Sequence, residues 1–459
     1  MPSSPGTDDR ETAPAPRLAT AGVLDTARII GGVLTPIVSE GVLARRKALV
    51  RLGGRLDTHA RAARILDDIR EKYEADALRL RFPRAMVVAL RPIAVQTILA
   101  ATPDPFTSAT REKVAAVGRF QPTGVLISDG ERRRVRRQLN ESALQTSSPV
   151  HSLHARCAEI VRSEVDDLVA SCPDGQLTWD RYVVSHWRMV RRLVFGDAAR
   201  DDEEVTDLLT VLRHDANWAY AFPRRKSTYS RFRRRLEQLV ARAPQDSLAG
   251  AIRDAPVDDR TDADPVGQIP QWLFAFDAVA VAVHRSLALL AAHPGASERA
   301  REDARAGESG GSPRLPVVRA TVLESLRLWP TTLAILREAK RDVRWAGGVV
   351  PAGATTIVIG EFFQRDDEAM DFAQEFTPDA WLDGRAQDLA GVVPFSDGPG
   401  ECPGRNVVML FSSLVIAELL RQYRFRDNVL SPRVRSGVTE MPHAINHFDL
   451  TIELVPVGR

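Results

Sequence analysis

The stretch Pro394-Phe-Ser-Asp-Gly-Pro-Gly-Glu-Cys-Pro-Gly-Arg405 is the most informative part of this sequence of 459 residues. Three glycines and three prolines surround Cys402, directly ahead of a strongly apolar run. Glycines let a backbone approach a flat ligand closely, and Pro403 suits the first turn of a helix. The free N–H groups at such a helix start favour a thiolate, which is a good ligand for a soft or borderline metal. A buried structural cysteine in a turn is the alternative interpretation.

The overall composition is that of an ordinary globular protein, with 44% hydrophobic and 27% charged residues. The 62 basic and 60 acidic residues leave a net charge of +2, which gives no reason to expect nucleic acid as a partner. Cys157, Cys172 and Cys402 form neither a CxxC pair nor a disulfide framework. We therefore expect a cytoplasmic protein.

Two segments bear on targeting and membranes. Residues 1–20 are rich in Pro, Ser and Asp and lack an apolar core, so they predict a disordered tail and not a signal peptide. The longest apolar segment, Trp272–Leu290, is interrupted by Asp277, His284 and Arg285. It therefore predicts a helix buried in the protein and no membrane span.

Hydrophobic periodicity predicts a mainly α-helical chain with small β-sheets, an α+β protein without regular βαβ alternation. Apolar runs on both sides of a Pro-containing turn predict a hairpin over Leu78–Leu90. Residues 244–268 are predicted to be a loop, and residues 294–315 a polar surface connection. Helices are predicted near 57–73, 151–170, 180–195, 201–215, 226–242, 269–292, 317–328 and 404–423.

The cysteine segment contains the pattern F-x-x-G-x-x-x-C-x-G at Phe395, Gly398, Cys402 and Gly404. This pattern resembles the haem-ligand loop of the cytochrome P-450 superfamily, the haem-thiolate monooxygenases. The resemblance implies haem b as the cofactor, with the Cys402 thiolate as the axial iron ligand. It also implies the family's fold over residues 21–459, a single domain shaped as a triangular, mainly helical prism.

A second motif, Glu324-Ser-Leu-Arg327, resembles the family's buried Glu–Arg pair. Residues at i and i+3 share a helix face and can form an ion pair. The implied role is structural, because the pair braces the haem-binding core. The family often adds a third basic residue, but Ala380 occupies that position here. The network is therefore expected to be a pair alone, or to be completed by another residue.

Three arginines match the positions at which the family binds the haem propionates. Arg132 and Arg136 are spaced i, i+4 on one helix face, and Val135 sets their register. Arg337 follows the Glu–Arg helix. The residue two before the thiolate, often basic in the family, is Gly400 here, which places more weight on the three arginines. The neighbouring Arg133 and Arg137 are expected to be solvated charges.

The apolar segment resembles the family's central helix, which crosses the distal face of the haem. In that register Ala275 takes the small-residue position, Asp277 the acid position and Ala278 the position usually held by an alcohol. The resemblance implies that Asp277 supplies protons through water or a substrate hydroxyl, or that peroxide is the oxidant, or that the reaction is an unusual one. An ion pair of Asp277 within the fold is an equally strong alternative.

The family layout also implies a substrate pocket and partners. We expect a small organic substrate, such as a secondary metabolite, and an enzyme of a soluble bacterial type. Ferredoxin and ferredoxin reductase are the expected electron donors, because no flavin or iron–sulfur motif is present. A haem-binding auxiliary protein that stabilises another enzyme without turnover is the alternative function. The expected pocket residues are Phe274, Ala275, Ala278, Thr332, Leu333 and Met441.

Overall fold

The computed structural model describes residues 18–257, 260–308, 313–345 and 348–457. Most of these residues are helical, which confirms the predicted fold class. The α-helices are Val23–Ile29, Thr35–Glu40, Lys47–Leu56, Thr58–Tyr73, Pro92–Ala100, Arg111–Val117, Gly130–Ala143, His154–Ala170, Trp179–Phe195, Glu203–Ala216, Lys226–Arg242, Leu248–Asp254, Arg260–Ala263, Pro265–Ala292, Pro294–Glu308, Pro316–Leu328, Gly360–Gln364, Asp379–Leu382, Arg405–Gln422 and Leu430–Arg435. A π-helical segment covers Ile30–Leu34, and short 3₁₀-helices cover Val125–Ile127, Asp197–Ala199 and Gly398–Gly400.

Helix Pro265–Ala292, here called the central helix, organises the fold. Asp264 caps its start by accepting a hydrogen bond from Gly267 N at 3.2 Å, and His293 ends it ahead of a proline. It is apolar on nearly every side because other helices surround it. Among the described helices it is long and apolar enough to cross a membrane, yet 72% of its most apolar window is buried inside the chain. Burial of this kind is typical of a core helix, as the sequence predicts.

The strands form three small sheets. The largest has the order Ala77–Leu80, Met86–Ala89, Thr355–Ile359, Ala334–Ala339 and Phe106–Thr107. Its first two strands are the predicted hairpin, paired from Ala77 with Ala89 to Leu80 with Met86. The three-stranded sheet has the order Gln176–Thr178, Thr451–Pro456 and Tyr423–Asp427, and the two-stranded sheet joins Val343–Trp345 to Gly348–Val350.

The described residues bury two apolar cores. The larger core surrounds the central helix and includes the helix that follows the cysteine loop. The smaller core lies between the five-stranded sheet and the N-terminal helices. The cysteine loop joins the two cores. Val393, directly before the loop, packs in the smaller core, and Phe395 of the loop packs against the larger one. A ligand held by this loop is therefore positioned by both halves of the structure.

Three predictions about irregular segments are wrong in part. Residues 18–20 are not a tail: Arg79 N donates to Ala19 O at 2.9 Å, so they extend the sheet, while residues 1–17 lie outside the described part. The predicted loop 244–268 contains two short helices and the start of the central helix. The predicted connection 294–315 begins with helix Pro294–Glu308, whose Ala300 and Ala304 pack inward although its composition is polar.

Candidate active site

The cysteine loop is closed by a backbone hydrogen bond from Cys402 N to Phe395 O at 2.9 Å. Gly398 has a φ of +62°, and a Cβ there would lie 2.7 Å from Leu99 O, so only glycine fits against helix Pro92–Ala100. A Cβ at Gly404 would lie 3.9 Å from Cys402 Sγ, in the space beside the sulfur. The two glycines of the motif thus have different roles: Gly398 anchors the loop, and Gly404 leaves the sulfur open on one side.

Burial raises the pKa of the Cys402 thiol, and the backbone N–H groups of Gly404 and Arg405 act in the opposite direction. The start of the helix therefore lowers the pKa of the Cys402 thiol, as predicted, but burial raises it by more. A coordinated thiol loses its proton to the metal, so the same backbone donors would stabilise the bound thiolate. Among the described residues, no group of three or more His, Cys, Asp or Glu side chains forms a separate metal site.

Three buried or half-buried cations lie beside this loop. Arg133 donates to Pro399 O at 3.3 Å, and its buried Nε has no hydrogen-bond partner. Arg337 donates to Thr102 Oγ1 at 3.0 Å and to Ser396 Oγ at 3.1 Å. Lys113 donates to Leu336 O at 2.8 Å. No described carboxylate forms an ion pair with any of these three side chains.

Arg337 lies near enough to each of the other two cations for one charge to act on the other. Burial, followed by the charge of Arg133, lowers the pKa of Arg337 to about 10. Burial and then the charge of Arg337 lower the pKa of Lys113 well below its usual value. Uncompensated buried charges of one sign are costly unless an opposite charge joins them. The cluster therefore suits a ligand that carries more than one negative charge.

The structure does not bring Arg132 and Arg136 to the loop as the sequence predicts. Arg132 has a 69% exposed side chain and lies 3.4 Å from Asp262. Arg136 donates to Ser128 Oγ at 2.6 Å and to the carbonyl of Asp262 at 2.8 Å. The structure instead places the neighbouring Arg133 and Arg137 against the loop, and a propionate-binding role of Arg132 and Arg136 stays a prediction. Arg137 reaches Glu401 O at 2.6 Å, next to the cysteine.

Glu324 and Arg327 form the expected pair, and both side chains are fully buried. Arg327 Nε donates to Glu324 Oε2 at 2.8 Å, and Nη2 to Oε1 at 2.6 Å. Glu324 also accepts from Trp381 Nε1 and Thr377 N, each at 2.8 Å. Trp381 is next to Ala380, where the family's third basic residue is missing, so the indole completes the network. Further Arg327 bonds go to the carbonyls of Gln364, Phe372, Ala373 and Glu375.

One face of the central helix is partly accessible although the helix is otherwise buried. Gln271, Phe274, Ala275 and Ala278 are four of the partly accessible positions in its first half. Their spacing of three or four residues places them on one side of the helix. This face includes the predicted pocket residues Phe274, Ala275 and Ala278.

Asp277 lies at the edge of this face and is engaged by a cation. Arg213 Nη2 donates to its Oδ2 at 2.6 Å, and the Arg213 guanidinium also stacks on Phe274, 5.0 Å from the ring centre. The Asp277 side chain keeps 33% exposure, so the ion pair does not cover it. The structure therefore shows Asp277 as an ion-pair partner that stays partly accessible, and its role as a proton source stays a prediction. Sequence spacing gave no signal for Arg213, because it belongs to a different helix.

The remaining predicted pocket residues fall in two segments. Thr332 is exposed and Leu333 is partly buried, just ahead of strand Ala334–Ala339. Met441 is buried, with its N–H bonded to Gln374 O at 2.7 Å and its carbonyl to Arg365 at 2.7 Å. Backbone contacts with Gln374 and Arg365 thus hold Met441 in place. The residues that follow it, Pro442–Ala444, are partly exposed.

Comparison with known proteins agrees with this geometry. The sequence model of the family "Cytochrome P450" matches residues 224–438, which include the central helix, the Glu–Arg pair and Cys402. The chain belongs to the cytochrome P-450 superfamily. The crystal structure of a six-coordinated cytochrome P-450 from Thermus thermophilus shares the fold, with a TM-score of 0.62 and 20% identity over 86% of this chain and 98% of that one.

Curated relatives match shorter stretches of the chain. Cytochrome P-450 714C3 of Oryza sativa subsp. japonica is 34% identical over 45% of this chain and 42% of its own length. Methyltetrahydroprotoberberine 14-monooxygenase of Papaver somniferum is 31% identical over 36% of this chain and 33% of its own length. The matched segments therefore span less than half the length of these relatives.

Family membership implies haem with a cysteine thiolate as the iron ligand, and the residues of this P-450 fit that group. Cys402, which is only half-buried, supplies the thiolate, and Gly404 places no side chain against its sulfur. Arg133, Arg337 and Lys113 offer buried donors without carboxylate partners, as two propionates require. Phe274, Ala275 and Ala278 would offer apolar surface to a substrate.

Replacement of Arg133 should weaken haem binding, whereas the same change at Arg132 should not. Hydrogen bonds to charged groups contribute about 1.5–3 kcal/mol each, so Arg133→Gln should speed haem loss roughly 10- to 100-fold. Arg132→Gln is the matched control, since Arg132 is exposed and paired with Asp262. Transfer of haem to excess apomyoglobin, followed by absorbance, measures both rates. Faster loss from Arg132→Gln than from Arg133→Gln would restore the register predicted from the sequence.

Proposed function

We propose that this P-450 is a monooxygenase that inserts oxygen into a small organic substrate in the pocket beside the central helix. The observation that carries the proposal is a half-buried Cys402 in a loop beside cations without carboxylate partners, together with a partly accessible face of the central helix. Haem held by a thiolate supplies reductive activation of O₂, because the thiolate donates electron density that favours O–O cleavage. The chain's part is to position substrate, exclude water and deliver protons.

Asp277 is the proposed proton source. Its carboxylate is held by Arg213 at 2.6 Å and remains 33% exposed. Ala278 has no hydroxyl to pass the proton on, so water or a substrate hydroxyl must bridge the gap. This arrangement supports O₂ as the oxidant over peroxide. O₂ brings no protons of its own, so an acid of the protein must deliver them, whereas hydrogen peroxide already carries two.

Asp277→Asn should lower O₂-driven turnover about 100-fold or more, because general acid catalysis contributes about 10²–10⁴-fold. The haem absorption spectrum should not change, and the solvent isotope effect on turnover should grow. Arg213→Lys is the matched control, since it keeps a cation beside the carboxylate and should retain most of the turnover. Turnover of Asp277→Asn at the original rate would limit Asp277 to its ion pair.

The proposed electron donor is an acidic ferredoxin that docks on the cysteine side, with a ferredoxin reductase upstream. Arg405 is 43% exposed next to the loop. Arg319 lies near Arg405 and Arg314: burial, and to a smaller extent these two charges, lower the pKa of Arg319 to about 10. Such a basic surface attracts an acidic partner. The use of a ferredoxin also underlies our proposal of a soluble, cytoplasmic protein of bacterial type that acts in secondary metabolism.

Reconstitution with a surrogate ferredoxin and its reductase tests the function. We expect pyridine-nucleotide oxidation that increases with particular compounds of a substrate panel and yields products one oxygen atom heavier. A protein with a normal haem spectrum but no product from any donor, including peroxide, would instead support the auxiliary haem-binding role. The missing alcohol at Ala278 is the feature that favours this second role.

A further inference from the structure

The loop of residues 218–223, here called the aromatic loop, carries an exposed apolar surface. Its Trp218, Tyr220 and Phe222 residues are 50%, 77% and 58% exposed. The Trp218 and Phe222 rings contact each other edge to face, with their centres 6.0 Å apart. Single apolar side chains on a surface are normal, but three large aromatic ones within five residues form a patch, which is typical of an interaction site.

A buried arginine holds the backbone of the aromatic loop in place. Arg119 donates to Ala219 O at 2.7 Å and to Pro223 O at 3.2 Å. It also donates to the carbonyl of Phe222, and its charge is compensated by Asp215 at 2.6 Å. Because the carbonyls of the loop are satisfied on the inner side by this guanidinium, the aromatic side chains are held on the outer surface.

Val42 extends the patch from a distant part of the chain. Leu43 N donates to Asn217 Oδ1 at 3.0 Å, so the turn that carries Val42 is bonded to the residue directly before the aromatic loop. Val42 is exposed, and the Arg46 guanidinium stacks on the Trp218 ring, 4.6 Å from its centre. The apolar patch is thus built on two segments that hold each other in position.

Basic side chains border this patch. Arg46 stacks on one of its rings, and the exposed Arg224 and Lys226 follow the aromatic loop along the chain. No carboxylate among the described residues forms an ion pair with any of these three side chains. Their charges are therefore available to an external anion.

The carboxylates near the patch do not cancel this positive charge. Glu112 and Glu338 lie within electrostatic reach of Tyr220. Glu112 forms an ion pair with Arg84, however, and Glu338 lies 3.9 Å from Arg111. Each nearby negative charge thus has its own cation, and the surroundings of the aromatic loop stay positive.

An apolar patch with a positive border fits the surface of a membrane better than a second copy of this chain. Two copies that met at the patch would bring their positive borders together, and like charges disfavour such a contact. Anionic lipids supply the opposite charge, and the boundary between headgroups and acyl chains accepts aromatic rings. Long basic side chains can stay at the level of the headgroups while the rings lie deeper.

We propose that the aromatic loop, together with Val42, Arg46, Arg224 and Lys226, binds the surface of membranes that contain anionic lipids. The protein would lie on the membrane without spanning it, because the central helix is buried in the core. Such binding is reversible and would bring the enzyme to apolar molecules that concentrate in the membrane. It needs no turnover, so it stands or falls independently of the proposed function.

Co-sedimentation of the holoenzyme with lipid vesicles tests this inference. One vesicle preparation contains phosphatidylglycerol and phosphatidylcholine in equal amounts, and the other contains phosphatidylcholine alone. We expect the mixed vesicles to bind the protein at least about tenfold more tightly, and this binding to weaken as salt is added. Equal binding to the two preparations, or no binding to the mixed vesicles, overturns the proposal.

A double variant tests the rings. Tyr220→Ser combined with Phe222→Ser removes two exposed side chains, so it should lower the affinity for mixed vesicles at least about tenfold without loss of stability. Leu382→Ser, which changes an exposed leucine on a different helix, is the matched control and should bind like the unmodified chain. Unchanged affinity in the double variant would refute a role of the aromatic loop.

A second double variant tests the charges. Arg224→Gln combined with Lys226→Gln should weaken binding to the mixed vesicles about tenfold or more and reduce its dependence on salt. Arg344→Gln combined with Arg433→Gln removes two exposed charges elsewhere and should leave both quantities unchanged. If the two charge variants behave alike, the patch does not recognise anionic lipid and the proposal is wrong.

Light scattering without lipid tests whether a second copy covers the patch instead. We expect a size that does not change with protein concentration. A dimer that is dissociated by Tyr220→Ser with Phe222→Ser, in a protein that does not bind vesicles, would overturn the proposal in favour of self-association. The haem spectrum and melting temperature of each variant are measured alongside, and if the ring variant is destabilised the charge variant decides the outcome.

Discussion

Cys402→Ser should abolish the strongly red-shifted Soret band that the reduced, CO-bound protein is expected to show. Serine preserves the backbone bond from position 402 to Phe395 O and has nearly the same shape, so the loop should stay closed. It cannot supply the soft, electron-rich ligand on which that band depends. Turnover should fall by more than about 100-fold, because altering even the groups behind a metal ligand costs 10- to 100-fold.

Cys172→Ser is the control for this measurement. Cys172 is a buried cysteine of the larger core, 3.8 Å from Ser171 Oγ, and it has no part in the cysteine loop. This variant should keep the spectrum of the unmodified protein. A band that Cys402→Ser leaves unchanged, or that Cys172→Ser removes, would contradict the assignment of the iron ligand to Cys402.

The sequence was sufficient for features whose signal is local. The cysteine loop needs glycines at fixed places, and Gly398 meets Leu99 O so closely that no other residue fits. The Glu324–Arg327 pair and the apolar central helix are likewise defined by spacing along one helix. These elements lie where the sequence predicts them because residues close in the chain determine them.

Features that depend on contacts between distant segments were missed. Arg132 and Arg136 share a face, but so do Arg133 and Arg137, and only packing against the cysteine loop decides between the two pairs. Lys113 joins the cation cluster from a separate helix, without any local signal. The alternatives differ by about 100° around one helix, an angle that a pattern of seven mostly basic residues cannot resolve.

The position of Trp381 illustrates the same limit with a different result. The missing basic residue at Ala380 suggested a reduced network around Glu324. The indole of the next residue donates to Glu324 Oε2 at 2.8 Å, so the carboxylate keeps its full set of donors. A change of residue type was thus compensated by a neighbour of different chemistry, which only the three-dimensional arrangement shows.

Glu324→Gln should destabilise the protein by about 3–5 kcal/mol, because it leaves the fully buried Arg327 without its counter-charge. That loss is a large share of the roughly 5–15 kcal/mol by which domains are usually stable. The matched control is Asp379→Asn, which breaks the exposed pair with Arg299 on a neighbouring helix and should cost less than about 1 kcal/mol. Urea denaturation followed by circular dichroism gives the free energy of unfolding for each variant.

A double replacement of Glu324 and Arg327 by apolar residues should not restore stability. Buried pairs can often be exchanged for apolar side chains, since both charges are then removed together. Here, however, Arg327 also satisfies the carbonyls of Gln364, Ala373 and Glu375, with donor–acceptor distances of 3.0, 2.8 and 2.7 Å. Each carbonyl left buried without a donor costs about 1–3 kcal/mol. Recovery of full stability in the double variant would mean that Arg327 serves only to neutralise Glu324. Continued instability would show that Arg327 holds the segment between Gln364 and Glu375 in place for the cysteine loop that follows.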